Sequence, residues 1–182
     1  MTRPDALRAL AVARGWFLAG RRVDMAELAA ELGVGRATLF RWVGNRDELL
    51  GEVLWSLAEP VFDRKHRARR EGGADLVGRI VGDFVRAVRA DEAFRGFLRR
   101  EPERALRVLT TKASVVQRRA IAKVAEVLER EIARGAIDPP LPVPDLAYLI
   151  VRIGESFLYT DVITGGDPDP DKARQAVHAL LT

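Results

Sequence analysis

The sequence contains no cysteine and only two histidines, His66 and His178. Without cysteine the chain has neither disulfides nor thiolate nucleophiles, and two histidines cannot build a histidine-rich metal site. No apolar run reaches the roughly 18 residues that a membrane-spanning helix needs, and charged residues occur early at the N-terminus. We therefore expect no metal site, no cofactor, no signal peptide and a cytoplasmic protein.

Strand-like alternation of apolar and polar residues is also absent, and the prolines fall at breaks, apart from Pro60, where the predicted fourth helix would bend. Apolar residues make up 48% of the 182-residue chain and recur at helical spacing. The sequence therefore predicts an all-α fold with a sizeable core. The predicted helices span about residues 5–19, 24–32, 35–42, 45–65, 74–90, 91–99, 102–109, 111–134, 144–164 and 170–181. The predicted core residues of the first helix are Leu7, Leu10, Val12, Trp16 and Phe17.

The charge balance favours polyanionic partners, but only mildly, since the net charge is +4 and the pI is about 9.9. Only four of the 30 basic residues are lysines, so most basic contacts could be bidentate. The basic stretch RKHRARR, residues 64–70, could contact nucleic acid. Because it lies well beyond the segment described next, we interpret it as a solvated helix end.

Residues 24–42, DMAELAAELGVGRATLFRW, have the spacing of a helix-turn-helix. Ala29 supplies the small residue that two steeply crossing helices need, and Gly33 tolerates the positive φ of the turn. Asp24 and Asn45 are the predicted N-caps of the second and fourth helices. The inward residues would be Leu28, Leu32, Val34 and Leu39, and the outward ones Arg36, Thr38, Arg41 and Trp42. An exposed short helix with this face suits the DNA major groove, and the alternative is a helical hairpin with a solvated basic face.

The segment VDMAELAAELGVGRATLFRWVGNRDELL, residues 23–50, resembles the DNA-binding region of TetR-family repressors. The matching residues are Thr38, Leu39, Phe40, Trp42, Arg46, Leu49 and Leu50. Phe40 replaces the usual tyrosine, and Gly35 replaces the usual serine or threonine cap. The resemblance implies a three-helix DNA-binding domain over residues 1–50 and a larger helical ligand-binding and dimerisation domain over residues 51–182.

The predicted DNA-binding residues take their roles from chemistry and position; they are Arg36, Thr38, Phe40, Arg41, Trp42 and Arg46. Arg36 and Arg41 could reach phosphate or guanine, and Thr38 a thymine methyl or a phosphate. Arg46 opens a helix, where the dipole already favours phosphate. Trp42 lies along the sugar-phosphate backbone or packs on the first helix. Arg21 and Arg22 could add phosphate contacts or remain solvated.

Residues 144–165, PDLAYLIVRIGESFLYTDVITG, place a charge pair inside a largely apolar helix. By helical spacing, Arg152 and Glu155 share a face with Tyr148 and Tyr159. A buried pair of this kind must be satisfied, so we expect both residues to be largely buried and paired. Arg152 and Glu155 form either a ligand site or a structural ion pair. The other face could join residues 170–181 in a four-helix dimer interface, or pack within the chain; it comprises Ala147, Val151, Gly154 and Leu158.

The same stretch resembles the C-terminal region of the QsdR-type subgroup, regulators linked to the degradation of quorum-sensing lactones. That resemblance implies a γ-butyrolactone, an acyl-homoserine lactone or a related acid as effector. Further candidate pocket residues, each of which could instead be plain core, are Trp55, Phe62, Phe84, Phe94, Phe97 and Val115.

The sequence thus predicts a ligand-responsive repressor that acts as a homodimer on a palindromic operator. A second hypothesis is a small helical enzyme acting on lactone-like substrates or phosphates. The sequence argues against this hypothesis, because it lacks the features that such an enzyme needs. It has no cysteine, no close pairing of histidine with serine or a carboxylate, and no glycine-rich phosphate loop. A third hypothesis is a helical adaptor that does not bind DNA, which Arg36 and Arg41 on an exposed helix argue against.

Overall fold

The computed structural model describes residues 4–65, 72–111 and 114–182, and all its regular elements in these ranges are α-helices. The helices are α1 (Pro4–Leu18), α2 (Met25–Leu32), α3 (Arg36–Val43), α4 (Arg46–Lys65), α5 (Gly73–Ala90), α6 (Glu92–Arg100), α7 (Pro102–Thr110), α8 (Val115–Ala133), α9 (Val143–Leu158), α10 (Thr160–Thr164) and α11 (Pro170–Leu181). The predicted all-α class is confirmed. No helix in the described ranges is both long enough and apolar enough to cross a membrane.

Most helix ends lie within about two residues of their predicted positions, as local capping rules allow. The predicted helix over residues 144–164 is wrong in one respect, because the chain breaks between α9 and α10. Tyr159 takes φ −105° and ψ 17°, and its N–H still donates to the Glu155 carbonyl. No proline or glycine marks this break, so the local sequence does not signal it.

The chain divides into two compact units that are not consecutive in sequence. The first contains Met1–Leu57 and Ala93–Val116, and the second contains Ala58–Glu92 and Gln117–Thr182. The first boundary between the units falls within α4, after Leu57. The functional division at residue 50, between DNA binding and effector binding, stays a prediction.

The first unit is built on a stripe of small residues along α1. Its buried residues are Ala6, Ala9, Ala13, Trp16 and Phe17. The predicted core residue Leu7 is wrong, because it is 49% exposed, and Leu10 and Val12 are only half-buried. Alanine side chains allow close helix approach, so the stripe at positions 6, 9 and 13 faces the core. Leu28, Leu39 and Leu49 from the next three helices are fully buried in the same unit.

In the second unit α5, α9 and α11 pack together through glycines. A Cβ added at Gly78 or Gly82 of α5 would lie 2.7 Å from a backbone carbonyl oxygen of α11. A Cβ at Gly154 of α9 would lie 3.1 Å from Val81 of α5. Ala147 and Leu158 are buried on the same helix. The small-residue face of α9 therefore packs within the chain, and its predicted use in the dimer interface is wrong.

Candidate nucleic-acid interface

The turn between α2 and α3 is defined by a cap and a glycine, as the sequence predicts. The Asp24 carboxylate accepts hydrogen bonds from the N–H groups of Ala26 (2.8 Å) and Glu27 (3.1 Å). These bonds lower the pKa of Asp24. Gly33 has φ 70°, in the left-handed region that glycine adopts without strain. Ala29 is buried between the helices, so the helix-turn-helix has a fixed local geometry.

Helix α3 buries one side and exposes the other. Leu39 and Val43 are buried, whereas Arg36 and Arg41 are exposed and Phe40 is 58% exposed. The backbone of Gly35 caps the helix without a side-chain hydrogen bond. An exposed phenylalanine between two arginines presents both apolar and cationic groups on one short helix.

The two remaining predicted contacts of α3 are half-buried. Thr38 accepts a hydrogen bond from Nη2 of Arg41 at 3.3 Å, which orders the guanidinium along the helix. Trp42 is also half-buried, so its indole is only partly available to a partner. Val34, predicted to face inward, is likewise only half-buried.

Helix α4 begins with the predicted capping box. The Asn45 side chain accepts hydrogen bonds from the N–H groups of Asp47 (2.9 Å) and Glu48 (3.0 Å). The Glu48 carboxylate accepts in turn from the Asn45 N–H at 2.7 Å. The first turn of α4 is therefore satisfied by its own side chains.

Arg46, the first residue of α4, makes internal contacts that the sequence does not predict. Its Nη1 and Nη2 donate to the two carboxylate oxygens of Glu101 at 2.6 and 2.7 Å, and its Nε donates to the Val23 carbonyl. The side chains are only 14% and 19% exposed. The hydrogen bonds from Arg46, together with nearby arginines, lower the pKa of Glu101. In the DNA-free structure the guanidinium therefore makes internal contacts, and the phosphate contact of Arg46 stays a prediction.

Arg21 and Arg22, in the segment before α2, have partners in the same unit. Arg21 stacks over the Trp16 ring at 3.6 Å from its centroid and pairs with Glu27 at 2.7 Å. Arg22 is largely exposed and lies 3.8 Å from Glu101. The basic stretch of residues 64–70 lies outside the described residues, apart from the backbone of its first two.

The predicted effector residues are divided between the units. Trp55, Phe97 and Val115 belong to the first unit. Trp55 and Phe97 are buried there, and Phe97 packs edge-on against Phe17 with ring centroids 5.6 Å apart. Val115 is half-buried beside Gly51. Phe94 is a further buried residue of this unit.

In the second unit, Phe84 is half-buried and stacks on the buried Phe62 with ring centroids 4.6 Å apart. These ring contacts are those of ordinary core residues. Whether any of the predicted residues contacts an effector stays a prediction.

The Arg152–Glu155 pair of α9 forms as predicted, with Nη1 and Oε2 2.6 Å apart. The expected burial is confirmed for Glu155, which is 12% exposed, and wrong for Arg152, which is 44% exposed. Burial raises the pKa of Glu155 to about 7, although Arg152 opposes this shift. Burial also raises the pKa of Tyr159 well above its usual range. Tyr148, by contrast, is half-exposed, so the predicted polar face is buried only at its C-terminal end.

Comparison with known proteins places this geometry in a family. A family model for the tetracyclin repressor-like C-terminal domain matches residues 72–182, more than half of the chain. The chain belongs to the TetR family. Among solved structures, the transcriptional repressor QsdR of R. erythropolis, from the TetR family, has a TM-score of 0.91. It is 30% identical, and the match covers 100% of this chain and 96% of that chain.

A second TetR-family structure shows the same fold at lower similarity. AlkX from Dietzia sp. strain DQ12-45-1b, a repressor implicated in biodegradation of n-alkanes, is 24% identical with a TM-score of 0.60. The match covers 98% of this chain and 93% of that chain. None of the curated proteins compared with the chain matches it.

The contact between Arg46 and Glu101 is one that the sequence analysis does not predict. Glu101 lies 55 residues from Arg46, and its own surroundings indicate only a helix start, because Pro102 follows it. No local pattern links a carboxylate before α7 to the first residue of α4. The sequence indicates only that a buried Arg46 would need an acidic partner, and it does not identify that partner.

Proposed function

We propose that this TetR-family chain is an effector-responsive repressor that binds a palindromic DNA duplex as a homodimer through α3. The observation that carries this proposal is the exposed face of α3, where Arg36, Phe40 and Arg41 project from a helix anchored by Leu39 and Val43. A short helix anchored in this way fits the major groove, and arginine can bind phosphate or the guanine edge.

Phe40 and Thr38 give the proposed contact its chemical character. The exposed Phe40 ring cannot hydrogen-bond and would contact a thymine methyl or a deoxyribose. The Thr38 hydroxyl accepts from Arg41, and its methyl group is suited to contact a thymine methyl. Binding selection on randomised duplexes tests this assignment. Thr38→Ala should change sequence preference, whereas an unchanged preference would contradict a base-facing Thr38.

A homodimer follows from the small footprint of one recognition helix, which reads only a few base pairs. Two such helices roughly 34 Å apart would enter successive major grooves. Light scattering with and without duplex, at micromolar protein, tests the assembly. Operator affinity should also fall steeply with salt, because arginine contacts release counterions. A monomer in both conditions would contradict the proposal.

For the effector we propose a lactone or a related acid. The support is the resemblance of residues 144–165 to the QsdR-type subgroup and the arrangement of the α9 pair. Arg152 is exposed enough to donate to a carbonyl or carboxylate, and Glu155 orients it from a more buried position. The effector would favour a conformation in which the distance between the two recognition helices no longer matches successive major grooves. The loss of operator affinity would then equal the difference between the affinities of the effector for this conformation and for the operator-binding one.

Thermal unfolding of the DNA-free protein with γ-butyrolactone, an acyl-homoserine lactone and the ring-opened acid tests the effector class. We expect one of the three to raise the melting temperature and to release the operator. Lactone hydrolysis by a protein that binds no duplex would favour the enzyme instead. Absence of both duplex and lactone binding would favour the adaptor.

A further inference from the structure

The guanidinium of Arg46 lies at a junction of three parts of the first unit. It belongs to the first residue of α4, and it contacts the Val23 carbonyl before α2 and the Glu101 carboxylate before α7. Val23 is fully buried, and its neighbour Asp24 is the N-cap of α2. One side chain therefore joins the start of the helix-turn-helix to both α4 and α7.

We propose that Glu101 is a positioning residue for operator binding, which holds α2 and α3 in place by clamping Arg46 against the Val23 carbonyl. This inference rests on the proposed DNA-binding function and assigns it a residue outside the recognition helix. Arg46 then acts on the operator through Glu101 and Val23 rather than by touching a phosphate.

A second set of ion pairs strengthens the same junction. Nη1 of Arg104 donates to Glu101 at 3.0 Å, and Nε of Arg104 lies 3.0 Å from Asp47. Nε of Arg107 donates to the other oxygen of Asp47 at 3.0 Å. The first turn of α4 is thus held to α7 by two carboxylates and three arginines. A network constrains orientation more than an isolated exposed pair does.

The geometry requires arginine at position 46. Nη1 and Nη2 each donate to one oxygen of the Glu101 carboxylate, while Nε donates to the Val23 carbonyl. A lysine ammonium is a point donor and cannot span both partners. A phosphate contact would tolerate lysine well, because phosphate binding by lysine is common. The conservative substitution therefore separates the two roles.

The test is a double-mutant cycle of operator affinity with Arg46→Ala, Glu101→Ala and the double variant, each measured over a range of salt concentrations. Stoichiometric titration with duplex corrects every affinity for the folded fraction. Arg86→Ala is the control, because Arg86 is an exposed, ion-paired arginine of the second unit. If the wild type binds no duplex at any salt concentration, the proposed function fails, and that result is distinct from failure of the clamp.

We expect each single variant to lose about 2- to 30-fold in operator affinity, the range typical of residues that act on a site through others. The double variant should be no weaker than the weaker single variant, Arg46→Lys should resemble Arg46→Ala, and the salt slope should match the wild type. The control should retain wild-type affinity.

Three results would overturn the clamp. The first is a salt slope smaller by about two per dimer in Arg46→Ala, which is the signature of two lost phosphate contacts. The second is an Arg46→Ala substitution that lowers operator affinity by the same factor whether position 101 is glutamate or alanine. The third is wild-type affinity per folded dimer in the single variants, which would leave Arg46 a purely structural role. If Arg46→Ala does not fold, Glu101→Gln replaces it, and wild-type affinity and slope in that variant would equally overturn the proposal.

Discussion

One arginine–glutamate pair from each unit invites direct comparison, because the two differ in almost every respect except composition. Arg46 and Glu101 are 55 residues apart in sequence, and the pKa of Glu101 is lowered. Arg152 and Glu155 are one helical turn apart on α9, and the pKa of Glu155 is raised to about 7. The carboxyl pKa is therefore shifted in opposite directions in two pairs that consist of the same two residue types.

The difference lies in whether attraction to arginine or burial has the larger effect on the carboxyl pKa. Glu101 accepts both arms of Arg46 and a further bond from Arg104, so attraction outweighs desolvation. Glu155 accepts a bond from Arg152, whose side chain is 44% exposed, and the attraction of this arginine is smaller than the effect of burial. Desolvation then dominates. Proximity in sequence is thus a poor guide to the strength of an ion pair.

Removing the arginine of the stronger pair should give the largest effect on stability. Arg46→Ala leaves a mostly buried carboxylate without its principal partner, so we expect the free energy of unfolding to fall by about 3 kcal/mol. Urea unfolding followed by circular dichroism measures this change. Arg86→Ala, which removes the two ion pairs of an exposed arginine with Asp83 and Asp171, should cost less than about 1 kcal/mol. Equal losses in the two variants would remove the distinction between the pairs.

The raised pKa of Glu155 should make stability fall with rising pH. The folded state holds this proton up to about pH 7, whereas the unfolded carboxyl loses it near its ordinary value of 4.5. Between these values the folded state binds more protons, so stability present at pH 4.5 is lost by about pH 7. We expect this group to contribute about 2 kcal/mol, allowing for its remaining exposure.

Glu155→Gln removes the titrating group, so its urea midpoint should fall less between pH 5 and pH 8 than that of the wild type. Glu129→Gln, at an exposed position of α8, should retain the wild-type dependence. Parallel pH profiles for the wild type and Glu155→Gln would contradict a raised pKa.

Glu101 should act in the opposite direction and in a different pH range. Because its pKa is lowered from 4.5, it stabilises the folded state above that value. The contribution is lost as the pH falls through the lower folded pKa. The free energy of unfolding of Glu101→Gln should therefore be lower than that of the wild type at pH 6. Below pH 4.5 it should fall less with decreasing pH than that of the wild type. Urea midpoints between pH 2.5 and pH 6 measure it, and an acid limb as steep as that of the wild type would refute the assignment.

The smallest effect on stability should come from the arginine of the weaker pair. Since Arg152 is 44% exposed and pairs within one helix, Arg152→Met should cost less than about 1 kcal/mol. The variant should remain a dimer that binds duplex, but it should release the operator poorly when the effector is added. Fluorescence anisotropy of a labelled duplex during effector titration shows this. A wild-type response would exclude Arg152 from the effector site.

Local rules within the sequence determined the helices, their caps and the helix-turn-helix. The Asp24 and Asn45 caps, the left-handed Gly33 and the exposed arginines of α3 all depend on residues within about one helical turn of each other. Interactions of this range are written in the sequence pattern, and the TetR-family resemblance rested on the same residues.

Tertiary structure decided which side chains meet across the chain. Only packing brings Glu101 to Arg46, breaks the helix at Tyr159 and places the Gly154 face of α9 against α5. It also decides that Leu7 is exposed and that Glu155 is far more buried than Arg152. Spacing along a helix says which residues share a face, but it does not say what covers that face. Burial and long-range pairing therefore depend on the packing of the whole unit.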